Sequence, residues 1–310
     1  MMTVVVIGAG IAGLACARRL AVAGLLPVVL DKGRGIGGRV ATRRAEGLQF
    51  DHGAQYVNAH GEGFAAVLRD LAATGAVAPW RDGTGRSHTV GTPGMSALAK
   101  ALGAGLDIRQ NALVTRAGQG KVGWQLRVGD TVLSAERIVI AVPAPQIPAL
   151  LGPDHPLVTT LSEVGMAPCL TLMAGVRGPA PFVTRNDPDD PLAWIAQDST
   201  KPDRPSSDVA AWVAQAGPDF SLAHLEKDPA EIAALMLPML VDRLDARLDR
   251  VTHAAAHRWR YARVTAPLGQ SFLRSADAKL YLGGDCCLGP RVEAAWTSGT
   301  AIADDLLAHL

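Results

Sequence analysis

The chain has 310 residues, with 33 glycines and 20 prolines, and is 48% hydrophobic against 19% charged. That much apolar surface excludes a disordered chain, and the length suits two domains or one large one. Thirty basic and 29 acidic residues leave a net charge of +1. The arginines are scattered singly or in pairs (Arg18-Arg19, Arg43-Arg44), which excludes the basic footprint of a nucleic-acid or membrane-surface protein.

The first apolar run, residues 3–7, is β-branched and apolar on both faces, as in a strand buried in a parallel sheet. Glycines Gly8, Gly10 and Gly13 follow, then a helical stretch over 14–23 ended by Gly24, then a short strand over 27–30 closing on Asp31. This is a βαβ unit. Residues 33–44, rich in Gly and Arg, read as a loop, and 49–57 as a strand interrupted at Gly53. The pattern predicts helices over 63–74 and 96–102, and strands over 106–117, 123–128, 137–142, 169–176, 192–197 and 209–214. Residues 184–208, polar and proline-rich around Trp194, read equally as a lid or a surface loop. Asp228-Pro229-Ala-Glu231 is a capping box opening a helix to about 248, bent near Pro238. Residues 279–285 and a small-residue helix over 292–309 repeat the strand–glycine–helix order of the N-terminus.

In Gly8-x-Gly10-x-x-Gly13 between strand and helix, the glycines let backbone approach a pyrophosphate and the helix N-terminus faces the anion. Asp31, at the spacing the motif needs, accepts from a ribose hydroxyl. The four cysteines (Cys16, Cys169, Cys286, Cys287) lack C-x-x-C spacing and suit neither a disulfide framework nor a zinc site. No metal site is expected. No basic leader or long uncharged apolar stretch is present, so the expectation is a soluble, cytoplasmic protein with no membrane or nucleic-acid partner.

Arg34-Gly-Ile-Gly37-Gly38-Arg39 resembles the second glycine motif of the glutathione-reductase-like flavoproteins, especially their amine-oxidase branch. Tyr281-Leu-Gly-Gly284-Asp285 with Val292-Glu-Ala-Ala-Trp-Thr-Ser-Gly299 resembles their C-terminal flavin motif. With Asp51-His-Gly-Ala-Gln-Tyr56, Gly94-Met-Ser-Ala97, Val142-Pro-Ala-Pro-Gln146 and His257-Arg-Trp-Arg-Tyr-Ala262, the chain is similar over nearly its whole length to bacterial renalases. The resemblance implies a flavoenzyme that takes hydride from the 2- and 6-dihydro isomers of NAD(P)H and reoxidises its non-covalent FAD with dioxygen to hydrogen peroxide. By position it implies FAD contacts at Gly8, Gly10, Ala12, Gly13, Asp31, Lys32, Gly38, Arg39, Gln55, Tyr56, Val114, Asp285, Val292 and Glu293. Arg39 is expected on the pyrophosphate and Asp285 on the ribityl chain. Cys286 stands where some relatives place a tryptophan.

Hydride loss turns a dihydronicotinamide into an aromatic cation, so no catalytic acid or base is expected, and the protein's task is positioning. The expected substrate pocket is Tyr56, Asn58, His60, Ser96, Trp259 and Trp296. The fold class follows as α/β: a discontinuous Rossmann-like FAD domain (1–50, 94–145, 266–310) and an antiparallel-sheet substrate domain (51–93, 146–265). The alternatives are a flavin amine oxidase or desaturase of the same superfamily, and a non-enzymatic flavin or nucleotide sensor.

Overall fold

The computed structural model describes residues 3–121, 123–205 and 207–310. In Val4–Ile7 every side chain is buried, because the sheet it belongs to is covered on both faces. That sheet has six strands in the order Leu273–Arg274, Leu280–Leu282, Arg137–Ile140, Val4–Ile7, Val28–Leu30, Asp107–Arg109. All neighbours run parallel except the edge pair Leu273–Arg274 with Leu280–Leu282. Val4 and Val6 join a core with Leu14, Ala17, Ile302 and Ala303 of the helices Ile11–Val22 and Val292–Ala308. Val5 and Ile7, on the alternate face, pack with Val114, Ala117, Trp124 and Leu126 of a three-stranded antiparallel sheet. The two helices meet at Gly299, where a Cβ would lie 2.0 Å from the carbonyl oxygen of Ala12, so only glycine permits the contact.

The second large sheet has five antiparallel strands, in the order Thr184–Asn186, Trp194–Gln197, Val209–Gln215, Gly165–Arg177, Val251–Ala266. Its side chains alternate. Leu170, Leu172, Trp212 and Ala214 pack on Ile232, Met236 and Leu240 of the helix Pro229–Arg243. Met173, Val209, Ala211 and Val213 pack on Leu48 and Phe50 of the strand Leu48–Asp51. The helix Pro229–Arg243 opens on the expected capping box, with the Asp228 carboxylate accepting from Glu231 N–H at 2.9 Å and Glu231 accepting from Asp228 N–H at 3.1 Å. No helix among the described residues is long and apolar enough to cross a membrane.

Several elements depart from the sequence pattern, among them the strand expected over 49–57, which ends at Asp51. Residues 106–117 divide into Asp107–Arg109, on the parallel sheet, and Val114–Gln119, on the three-stranded sheet. The loop expected over 33–44 holds a turn of helix, Gly38–Val40, and the start of the strand Thr42–Ala45. The helix expected to reach 248 stops at Arg243. The strand Val251–Ala266 has no period-two signature, because most of its residues on both faces are only half-buried.

Candidate active site

The glycine turn is built from backbone. Gly8 has φ +105°, and a Cβ on Gly13 would lie 1.9 Å from Gly8 O, so both need glycine. A Cβ on Gly10 would meet nothing within 4 Å, and one on Gly38 only Gly10 Cα at 3.6 Å. The space in front of these two glycines is therefore open. The helix Ile11–Val22 has no side-chain cap and no acid in its first turn, leaving its N–H groups to an anion. Asp31 accepts from Ala9 N–H at 2.6 Å and Gly33 N–H at 2.7 Å, and Gly37 N–H donates to Ala9 O at 2.8 Å. The two glycine motifs thus form one cradle. At its rim Lys32 is exposed and reaches Gln146 at 3.3 Å, and Val114 is buried under the strand end at Leu30.

Beyond the cradle the chain ends converge. Arg39 makes a bidentate pair with Asp285, both contacts at 2.6 Å, and donates to Ala262 O at 3.1 Å. Both sequence expectations for these residues concerned FAD; here each is the other's partner, which bridges the Gly38–Val40 turn to the start of the short helix Asp285–Leu288. Gly53 lies where a Cβ would be 2.0 Å from Arg39 O, and Gly53 O accepts from Gln215 at 2.7 Å. Trp259 Nε1–H donates to His52 O at 2.7 Å, joining two motifs far apart in sequence. His52, His257 and Trp259 form an aromatic cluster with ring centroids 4.3–5.3 Å apart. Burial, then neighbouring His257 and Arg43, push His52 down to about 4, so its ring is neutral; its buried Nδ1 has no partner.

The remaining pocket candidates go to different places. Tyr56 stacks on His88, centroids 3.8 Å apart at 19°, with Trp194 edge-on at 5.9 Å. Asn58 is exposed and contacts His88 Nδ1. His60 is held by its backbone: Glu293 accepts from the N–H groups of His60 at 3.0 Å and Gly61 at 2.7 Å. Ser96 opens the helix Ser96–Gly103, its N–H donating to Thr42 at 3.1 Å. Trp296 packs against Phe64, centroids 5.5 Å apart, and against Gly63. The Gln55 amide donates to Asp51 O and to Gly53 O, so its donor end is spent within its own turn. Val292 starts its helix behind an uncapped N-terminus.

Sequence reasoning missed a buried ionic cluster. Asp51, Asp198, Lys201 and Arg204 are each at most 1% exposed in their side chains. Lys201 bridges Asp51 (3.2 Å) and Asp198, and also reaches Gln55 at 3.4 Å; Arg204 meets Asp51 at 2.5 Å. Burial pushes the Asp51 carboxyl up, but Lys201 and Arg204, with Thr42 and Met95 N–H, hold it below its ordinary range. Residues 184–204 are therefore anchored, supplying two strands to the five-stranded sheet and three ions to the interior. Residues 198–204 are polar but for Pro202, a composition that signals a solvated loop and names no partners around 150 residues away. Cys286 and Cys287 are buried, and the hydrogen bond between their thiols pushes Cys286 up and Cys287 down.

Residues 6–71 match the NAD(P)-binding Rossmann-like domain family, and residues 79–307 match the family described as flavin containing amine oxidoreductase. Solved structures with the same fold include a double mutant of putrescine oxidase, 15% identical over 99% of both chains with a TM-score of 0.77. Cyclohexylamine oxidase from Brevibacterium oxydans IH-35A is 13% identical over 99% of both chains, with a TM-score of 0.75.

Proposed function

The chain belongs to the flavin containing amine oxidoreductase family, and from that premise we propose that it oxidises the 2- and 6-dihydro isomers of NAD(P)H to NAD(P)+. FAD, when bound, would supply the hydride acceptor, and its reoxidation by dioxygen would give hydrogen peroxide. The open glycine cradle and the two uncapped helix N-termini fit a flavin dinucleotide. Gly8, Gly10, Ala12 and Gly13 would hold the pyrophosphate, Asp31 the ribose, and Val114 the adenine. Arg39 and Asp285, as one ion pair, would sit at the ribityl chain and phosphates.

The observation that carries the substrate reading is the Trp259–His52 hydrogen bond. It joins the Asp51–Tyr56 segment to the His257–Ala262 segment, two motifs of the renalase resemblance that are more restricted than the glycine motifs, beside Arg39 and Asp285. Neutral His52 and Trp259 bring no charge to this junction, which suits a dihydropyridine ring, and no side chain has to remove a proton. We assign residues 1–50, 94–145 and 266–310 to FAD and 51–93 and 146–265 to substrate.

A flavin amine oxidase is the second reading. The aromatic cluster of Tyr56, His88 and Trp194 suits a substrate cation, and the structural neighbours include oxidases of putrescine and cyclohexylamine. Anaerobic titration separates the two. The dihydronicotinamide reading expects a 2-/6-dihydro-NAD(P) mixture to bleach the flavin band near about 450 nm within a turnover. Bleaching by amines alone overturns it, and a flavin that no donor reduces favours a sensor.

A further inference from the structure

We propose that Asn58, oriented by His88 and Asp82, is the residue by which this site recognises a primary carboxamide on its substrate. The inference rests on the dihydronicotinamide reading and adds the group that selects the ring.

His88 is fixed on every side. Its ring is sandwiched under Tyr56 at 3.8 Å and flanked by Trp80 at 6.2 Å, and it is 7% exposed. Asp82 is 4% exposed, and its Oδ1 is occupied by Thr84 N–H and Oγ1–H, both at 2.8 Å, and by Arg86 N–H at 3.3 Å. Its Oδ2 remains for His88 Nε2 at 3.1 Å. A carboxylate only accepts, so the imidazole proton sits on Nε2 against Asp82, and Nδ1 is left as the ring atom that faces Asn58 as an acceptor.

Asn58 lies against that Nδ1, with Nδ2 at 3.1 Å and Oδ1 at 3.3 Å. The Nδ1 lone pair attracts the Asn58 N–H and repels its carbonyl. The relay therefore sets the amide's polarity and leaves Oδ1 as the acceptor for a ligand. The backbone fixes its place, because Val57 and Thr89 exchange hydrogen bonds at 2.8 and 3.1 Å immediately beside Asn58 and His88. In the same cluster Trp194, edge-on to Tyr56, has a buried Nε1–H without a partner.

Such a cluster complements a flat group that brings one N–H donor and one carbonyl acceptor. A primary carboxamide on a pyridine ring carries both. Amine substrates have no carbonyl, so the arrangement favours a nicotinamide over an alkylamine.

The test compares the holoenzyme's kcat/KM for the 2-/6-dihydro isomers of NAD with those of its 3-acetylpyridine analogue, which keeps the carbonyl and loses the NH2 donor. The wild type is expected to prefer the carboxamide about tenfold, the worth of one hydrogen bond. Asn58→Ala and Asn58→Ser are expected to bring the ratio near one. His88→Phe, which frees the Asn58 amide, is expected to reduce the ratio through KM while kcat for the carboxamide holds; flavin content and CD verify folding. A wild-type ratio near one, or a ratio that survives both Asn58 substitutions, overturns the inference and leaves the dihydronicotinamide reading standing. If neither dinucleotide reduces the wild-type flavin, that reading falls and takes the inference with it.

Discussion

The two sides of the site are made of different material. The cradle around Gly8, Gly10, Gly13, Gly37 and Gly38 is backbone, with carbonyls, N–H groups and a helix end placed by a turn a few residues long. The facing region is side chain: Asp51 with Lys201 and Arg204, His52 with His257 and Trp259, Tyr56 with His88 and Trp194. A backbone site tolerates little change at a few glycines and is indifferent to its surroundings. A side-chain site depends on partners from several elements, so its failures spread through the core.

The largest effect that contrast implies is at Lys201. Lys201→Met leaves Asp51 and Asp198 short of a buried countercharge, and a loss of about 3–5 kcal/mol is expected. Denaturant unfolding checks it; an unchanged midpoint would show that the cluster is not a closed ionic unit.

Gly13→Ala comes next, at about 3 kcal/mol, because its Cβ would overlap Gly8 O, a backbone atom that cannot swing away. Here stability and flavin content should fall together.

Acidification tests the neutral histidine. The unfolded chain protonates His52 below its ordinary 6.5, whereas the folded chain does so only near 4. Between those values the unfolded state binds more protons, so stability falls as pH drops through that window, by at most about 3 kcal/mol from His52. Burial lowers His253 and His257 as well, which adds in the same direction. Thermal melts from pH 7 to 4 should show the loss, with a flatter slope in His52→Gln; equal slopes would contradict it.

Arg39→Ala strands the nearly buried Asp285. About 1–3 kcal/mol of stability and most of the flavin retention should go. A variant that purifies fully yellow would remove Arg39 from the cofactor side.

Gly10→Ala sharpens the contrast with the smallest expected change in the fold. Its Cβ meets no protein atom, so the apoprotein's Tm should hold within about 0.5 kcal/mol of stability. Flavin affinity should fall about tenfold, read by fluorescence on rebinding.

What could be read beforehand follows the same division. A β-branched run, three glycines and an acid lie within one stretch of about 30 residues, so the turn and its phosphate-binding chemistry follow from local backbone rules. The capping box at Asp228 and Glu231 was equally local. The long strand Val251–Ala266 escaped because half-burial on both faces erases alternation. Residues 184–208 read as lid or loop because polar residues signal solvent unless their partners are known, and those of Asp198, Lys201 and Arg204 include Asp51, far upstream.

The sequence by itself determined a dinucleotide cradle and its two ends, since glycine conformations and helix starts are set by neighbours along the chain. Tertiary structure alone decided that Arg39 pairs with Asp285, that Glu293 holds the backbone at His60 and Gly61, and that Asn58 leans on His88 and Asp82. Those are contacts of charge and hydrogen bond between residues with no shared period, and only the folding of turns, loops and helix ends against one another brings them within reach.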